Sequence, residues 1–202
     1  LTGGHDGIVF LAGARQCAAA MKTYLTYGFA MAFGGALVVF ALFFLGMHDS
    51  AEKLDTAQWI QMGLGLAIGV TCIVLGTKAR RAEVPATETF GYGSALGAGV
   101  MITLFAALLG LFTNYLYGAV INPHFTDVML QSQADKLAAT GMPSDKIEQI
   151  QKMTSAMMKP PVMAAMGFVS GLLSGTLISL ITAAFLKRPA GENLADAPPP
   201  LT

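Results

Sequence analysis

The chain has 202 residues, enough for one or two domains, but 54% of them are apolar and only 12% charged, against roughly 25% charged in an average soluble domain. Too few charges remain to cover a water-exposed surface of this size, which excludes an ordinary soluble protein and makes the lipid bilayer the expected surroundings. Twelve Lys and Arg against twelve Asp and Glu supply no basic excess for nucleic acid, and two cysteines cannot form a disulfide framework.

The first twenty residues fit poorly with the rest of the chain. The sequence opens on Leu1, whereas Met21-Lys22-Thr23 reads as a natural start just before an apolar run. Residues 1–20 are therefore expected to be a non-native or unstructured extension. The alternative, a signal peptide with Ile8 to Ala14 as its apolar stretch, has a short, glycine-broken run and an uncharged leading segment apart from Asp6.

Four apolar runs then reach the roughly 20 residues that a helix needs to cross about 30 Å of hydrocarbon. They cover about residues 24–47, 59–77, 93–117 and 162–186, and none contains Asp, Glu, Lys or Arg. Runs of this length satisfy their own backbone hydrogen bonds as helices, so the expected fold class is all-α, a polytopic membrane protein with four transmembrane helices. Lys22, then Lys78, Arg80 and Arg81, then Lys187 and Arg188 fall on one side of the implied membrane. The opposite side carries Lys53 among Asp49, Glu52 and Asp55, and a third loop with four Lys and four acids. The positive-inside rule places both termini in the cytoplasm. Trp59 and the five tyrosines, Tyr24, Tyr27, Tyr92, Tyr115 and Tyr117, lie near the span ends as an interfacial belt would.

The third loop, residues 122–160, is the one sizeable water-exposed segment and its pattern is helical. Pro123 breaks the chain, then Val128, Leu130, Ala134, Leu137 and Ala138 recur at near-helical spacing up to Gly141. Ser144 is the expected N-cap of a second helix with Asp145 in its first turn, and Ile147, Ile150, Met153 or Thr154, and Met157 form a stripe before Pro160-Pro161. The pair is expected to be a short helical hairpin on the periplasmic side, either a solvated connection or a lid that binds a partner. Residues 189–202, with Pro198-Pro199-Pro200, are expected to form a disordered tail.

The clearest packing signal is in the fourth span, where Gly167, Gly171, Gly175 and Ser179 recur every fourth residue. Between helices in lipid, close backbone approach and van der Waals contact replace the hydrophobic drive, and small residues permit that approach. Gly65 and Gly69 repeat the pattern in the second span. Gly93 and Gly97, with Ala106 and Gly110, do so in the third, and Gly28, Ala32 and Ala36 in the first. These faces can pack within one chain, hold a homo-oligomer or a membrane-protein partner together, or line a polar path through Ser170, Ser174 and Thr176.

No span offers an acid–base group, and intramembrane chemistry or ion coupling ordinarily needs one. Ser170 and Ser174 have no base at membrane depth, so acyl-transfer chemistry has no support. His5, His48 and His124 are scattered without metal-ligand spacing and are expected to be surface or interfacial, and His124 with Asp127 alone makes no zinc site. Asn114, one turn from Tyr117, is expected at the outer interface, and Cys72 as a reduced, buried packing residue. The residues imply no enzyme, no cofactor and no metal. The leading expectation is a non-enzymatic helix-packing or interaction component of the membrane; the alternative is a small-solute transporter or channel subunit using the hydroxyls of the fourth span.

The order of these features carries a resemblance. A lysine-containing start opens a Gly/Ala-rich span, and Lys78-Ala79-Arg80-Arg81 precedes an aromatic-glycine entry, Phe90-Gly91-Tyr92-Gly93. The third span ends in Ile121-Asn122-Pro123, and the loop includes Asp145-Lys146-Ile147-Glu148. The last span closes with Gly175-Thr176-Leu177-Ile178-Ser179-Leu180-Ile181 before Lys187-Arg188. From Met21 to about Arg188 the chain resembles the bacterial membrane family called domain of unknown function 4199. The resemblance implies a four-helix bacterial inner-membrane protein with no established activity, and it carries over no catalytic residue.

Overall fold

A computed structural model describes residues 3–190, with side chains from Arg15 onward. Among the described residues there are six α-helices: α1 (Gly3–Phe44), α2 (Ala51–Glu83), α3 (Tyr92–Leu116), α4 (Phe125–Ala139), α5 (Ser144–Met157) and α6 (Pro160–Leu186). A π-helical turn, Tyr117–Ile121, continues α3. Four stretches are long and apolar enough to cross a membrane: Arg15–Phe44, Ala51–Glu83, Tyr92–Ile121 and Pro160–Leu186. The all-α polytopic class follows, with α4 and α5 as the helical segment between the last two spans.

Residues 3–20, expected to be a non-native or unstructured extension, have a helical backbone in the structure. They run into the first span without a break, as suits a segment with no proline that ends in Ala18-Ala19-Ala20. The expected tail lies outside the described residues from position 191 onward.

Span boundaries shift for local reasons. Helix α1 stops at Phe44 because Gly46 adopts φ +67°. The Gly46 amide donates to the Phe43 carbonyl (2.9 Å) and the Met47 amide to the Leu42 carbonyl (3.0 Å), the paired bonds of a Schellman cap. Gly141, at φ +78°, ends α4 in the same way, with Met142 donating to Leu137. Helix α2 outruns its apolar core at both ends, with Glu52 in its first turn and Arg80 and Arg81 in its last, the order that a helix dipole favours. Ser144 is not the N-cap of α5: Pro143 occupies that position, extended at ψ 143°, and Ser144 is already helical with no side-chain capping bond. Pro160 opens α6, where its missing N–H costs nothing.

The chain divides into two compact units. Unit 1 holds the described residues of Leu1–Ala30, Val70–Ala106 and Leu172–Thr202; unit 2 holds Met31–Gly69 and Ala107–Gly171. Each long helix contributes a part to both. In unit 1 the interior is built from small residues and a few aliphatics: Ala95, Ala98, Ile102 and Ala106 of α3, Ile73 of α2 and Ala183 of α6, with Phe90 buried beside Ala95 and Ala183. In unit 2, α4 and α5 pack on one another, and the Gln151 amide donates to the Leu130 carbonyl (3.3 Å). Lys136 of α4 pairs with Asp55 of α2 at 2.5 Å.

Large apolar side chains cover the outside of the spans. Phe29, Phe33 and Leu37 of α1 are exposed, as are Leu173, Leu177, Ile181 and Phe185 of α6, with Phe185 80% exposed. At about 25 cal/mol per Å² of apolar surface, leaving so many in water would be strongly unfavourable, whereas lipid accepts them. The inside-out distribution, small residues in and large apolar residues out, is what a bilayer selects.

Candidate functional site

The closest helix contact in unit 1 joins α3 to α6 through two reciprocal pairs. Gly99 faces Ser179, and Gly175 faces Thr103. A Cβ added at Gly99 would lie 2.7 Å from the Ser179 Cβ, and one added at Gly175 would lie 2.9 Å from the Thr103 Cβ. Each hydroxyl satisfies itself on its own helix: Thr103 donates to the Gly99 carbonyl (2.9 Å) and Ser179 to the Gly175 carbonyl (2.7 Å). Thus on each helix a glycine admits the partner's hydroxyl residue, while its carbonyl quenches the hydroxyl four residues on. Gly76 of α2 and Gly28 of α1 make comparable approaches. A Cβ at Gly76 would meet Ile102 Cδ1 at 2.5 Å, and one at Gly28 would meet the Ile102 carbonyl oxygen at 2.9 Å.

The small residues marked by sequence spacing divide accordingly. Gly175, Ser179, Gly69, Gly28 and Ala106 are buried. Gly65, Gly93, Gly97, Gly110 and Gly171 have open space where a Cβ would stand, and Gly167 has only the Asn114 amide at 3.6 Å. Ala32 and Ala36 are half-buried. The fourth-span ridge is therefore used within the chain at its C-terminal half and left open at Gly167 and Gly171. Ser170 and Ser174 are exposed on α6 rather than gathered around an interior path, and Thr176, half-buried, donates to the Leu172 carbonyl (2.7 Å). Spacing of four residues missed Gly99 and Thr103, although they too stand four apart.

Unit 2 holds a buried polar trio that sequence spacing did not reveal. His48, Tyr117 and Asn122 are 2%, 5% and 8% exposed. The Asn122 amide donates to the Tyr117 hydroxyl (3.1 Å). That hydroxyl also lies 2.5 Å from His48 Nδ1, in hydrogen-bond contact with the imidazole. Burial pushes the His48 pKa below its usual value despite the opposing carboxylate of Asp49.

Three local features assemble this trio. The Gly46 cap turns the chain back after α1 so that His48 enters the unit. The π-helical turn closes with the Asn122 amide on the Tyr117 carbonyl (2.8 Å), which returns Asn122 to the tyrosine. Phe125, at the start of α4, packs its ring 5.1 Å from that of His48 and 5.5 Å from that of Tyr117, while Phe40 and Phe43 meet the Tyr117 ring edge-on. The expectations for His48 as a surface residue and Tyr117 as part of the interfacial belt are thereby corrected: both are core residues. Tyr92, Tyr115 and Trp59 are exposed, and Tyr24 and Tyr27 half-buried. His124 pairs loosely with Asp127 at 3.6 Å, both well exposed. Cys72 is free and half-buried rather than buried.

The charges divide between the units. In unit 1 the described side chains include Arg15, Lys22, Lys78, Arg80, Arg81, Lys187 and Arg188 against Glu83 and Glu88. In unit 2 they are Lys53, Lys136, Lys146, Lys152 and Lys159 against seven acids. The basic end of unit 1 is tied by specific contacts. Thr23 donates to Glu83, Arg80 pairs with Glu83 (3.1 Å), and Arg81 reaches the Leu186 carbonyl at 3.5 Å. Arg188, 7% exposed, donates to the Val84 and Pro85 carbonyls, both at 3.0 Å, and pairs its backbone with Phe90. This arginine fastens the loop after α2 to the end of α6.

Four long apolar helices among the described residues, an apolar exterior and small-residue helix contacts define a multi-pass α-helical membrane protein. The chain belongs to the family described as protein of unknown function DUF4199, whose model matches residues 26–188. No curated protein and no solved structure matches it.

Proposed function

We propose that the protein is a non-enzymatic component of the bacterial inner membrane that works by associating with a second membrane protein chain through α6, with both termini in the cytoplasm. One observation carries this reading: Gly167 and Ser170 are exposed on α6 and Gly171 beside them is open where a Cβ would stand, although small residues elsewhere on the same helix are closed by a neighbour. In lipid an exposed hydroxyl gains nothing from acyl chains, whereas a partner helix can approach a glycine face closely and bond to the serine.

The basic excess of unit 1 supports the cytoplasmic termini, since Lys and Arg near span ends are retained on that side. The buried trio supports a structural role over a catalytic one, because its imidazole is bonded to a phenol that an amide in turn holds, and burial lowers its basicity despite the nearby Asp49 carboxylate. Native mass measurement of the full chain extracted in mild detergent tests the association. The wild-type chain is expected to carry a stoichiometric second chain that Gly171→Leu releases. A lone wild-type monomer, or an assembly indifferent to Gly171→Leu, would overturn the proposal.

A further inference from the structure

We infer that the basic end of unit 1 is a seat for the phosphate headgroups of anionic phospholipids, formed by Lys22, Lys78, Arg81 and Lys187. Contacts within the unit bring together the ends of the three helices that carry or adjoin these residues. The Thr23–Glu83 bond sets Lys22 of α1 beside the end of α2, and the Arg81–Leu186 bond sets that end beside Lys187. Glu83 is the one carboxylate in these contacts, and it is engaged by Arg80 and Thr23. Arg188 turns one guanidinium nitrogen, Nη2, to the Val84 and Pro85 carbonyls. Lys22, Lys78 and Lys187 are exposed and Arg81 half-buried, and none of the four is ion-paired with a carboxylate among the described residues.

Their position names the counter-ion. Lys22, Lys78 and Lys187 each lie within about a turn of an uncharged apolar run, the depth at which phospholipid phosphates sit. Basic clusters at helix ends on this level attract anionic headgroups, and each cation removed weakens such binding by about fivefold. Arg81 adds a planar fork suited to a phosphate, and the lysines add mobile point charges. This inference does not depend on a protein partner at α6, because it concerns the other end of that helix.

The test is native mass spectrometry of the full chain after exchange into detergent carrying either phosphatidylglycerol or phosphatidylcholine. Wild type is expected to retain phosphatidylglycerol in preference to phosphatidylcholine, with retention falling as salt rises from about 50 mM to about 500 mM. Inorganic phosphate at the same concentration should not displace the lipid, since it lacks the acyl chains that hold the headgroup in place. The combined variant Lys22→Gln, Lys78→Gln, Arg81→Gln and Lys187→Gln should lose the preference. Lys146→Gln with Lys152→Gln in α5 should keep it. Equal retention of the two lipids, salt-independent retention, displacement by phosphate, or an equal loss in the α5 variant would overturn the assignment. If the fourfold variant fails to fold, the salt dependence and lipid preference of the wild-type chain decide alone.

Discussion

Gly99 of α3 and Ser179 of α6 meet so closely that the glycine has no room for a Cβ, and the pair is mirrored one turn along both helices by Thr103 and Gly175. Each hydroxyl is turned back onto the glycine carbonyl of its own helix. Helices in lipid have little hydrophobic drive to associate, so this contact rests on fit and dispersion. It is accordingly intolerant of added volume. Gly99→Val and Gly175→Val are each expected to destabilise the folded chain by about 1–3 kcal/mol, the usual cost of overpacking. Gly97→Val, which would project into open space, should leave stability close to wild type. Unfolding in detergent with a chemical denaturant checks the ordering of the three.

Tyr117→Phe removes the hydroxyl that joins Asn122 to His48 and leaves a buried amide donor and a buried imidazole nitrogen without that partner. The expected cost is about 1–3 kcal/mol. The double variant Tyr117→Phe with His48→Leu should cost less than the sum of its parts, because the two residues share one bond. A double-mutant cycle on unfolding free energies measures the difference.

The same trio gives stability a pH dependence. Burial lowers the His48 pKa in the folded protein, so at mildly acidic pH the unfolded chain binds the proton first. Above the ordinary imidazole value of 6.5 both states are neutral at this site and it contributes no slope; as pH falls below that value, the folded state loses stability. The loss stops growing once the folded-state pKa is passed. His48→Gln should flatten the thermal midpoint between about pH 6.5 and pH 5 relative to wild type. Parallel curves for the two proteins in that window would contradict the assignment.

Arg188→Gln removes two charge-assisted bonds to the loop after α2. Bonds of this kind contribute about 1.5–3 kcal/mol each in favourable cases. The loop, residues 84–90, should then exchange its amide hydrogens faster, while the amides of Tyr117 and Asn122 in unit 2 stay as protected as in wild type. Hydrogen exchange followed by mass spectrometry reads both regions at once.

Much of this arrangement is legible in the sequence, and the reasons are physical. A span must be long, apolar and free of charge, so composition alone locates all four, and prolines and Gly141 bound the hairpin between them. Small residues at four-residue spacing flag Gly175 and Ser179, which lie buried against α3, because packing in lipid has few other means. Periodicity cannot tell which glycines are covered: Gly65, Gly93 and Gly97 share the pattern of Gly175 but face open space. That depends on helix rotation, which local sequence does not set. His48 and Tyr117 are misplaced by sequence reasoning for a related reason. Both lie at span ends, where polar aromatics usually meet headgroups, and their burial depends on a left-handed glycine at position 46 and a π-helical turn. Neither irregularity has a hydrophobic period to betray it.

The open face of α6 is proposed to hold a second protein chain in the native membrane, and cross-linking from that face tests this most directly. A photoreactive side chain placed at Gly171 in the full-length protein, activated in intact native membranes, is expected to give one discrete protein adduct of defined mass. The same group at Phe185, exposed at the far end of α6 among apolar residues, should label lipid. Lipid labelling alone from both positions would contradict the account.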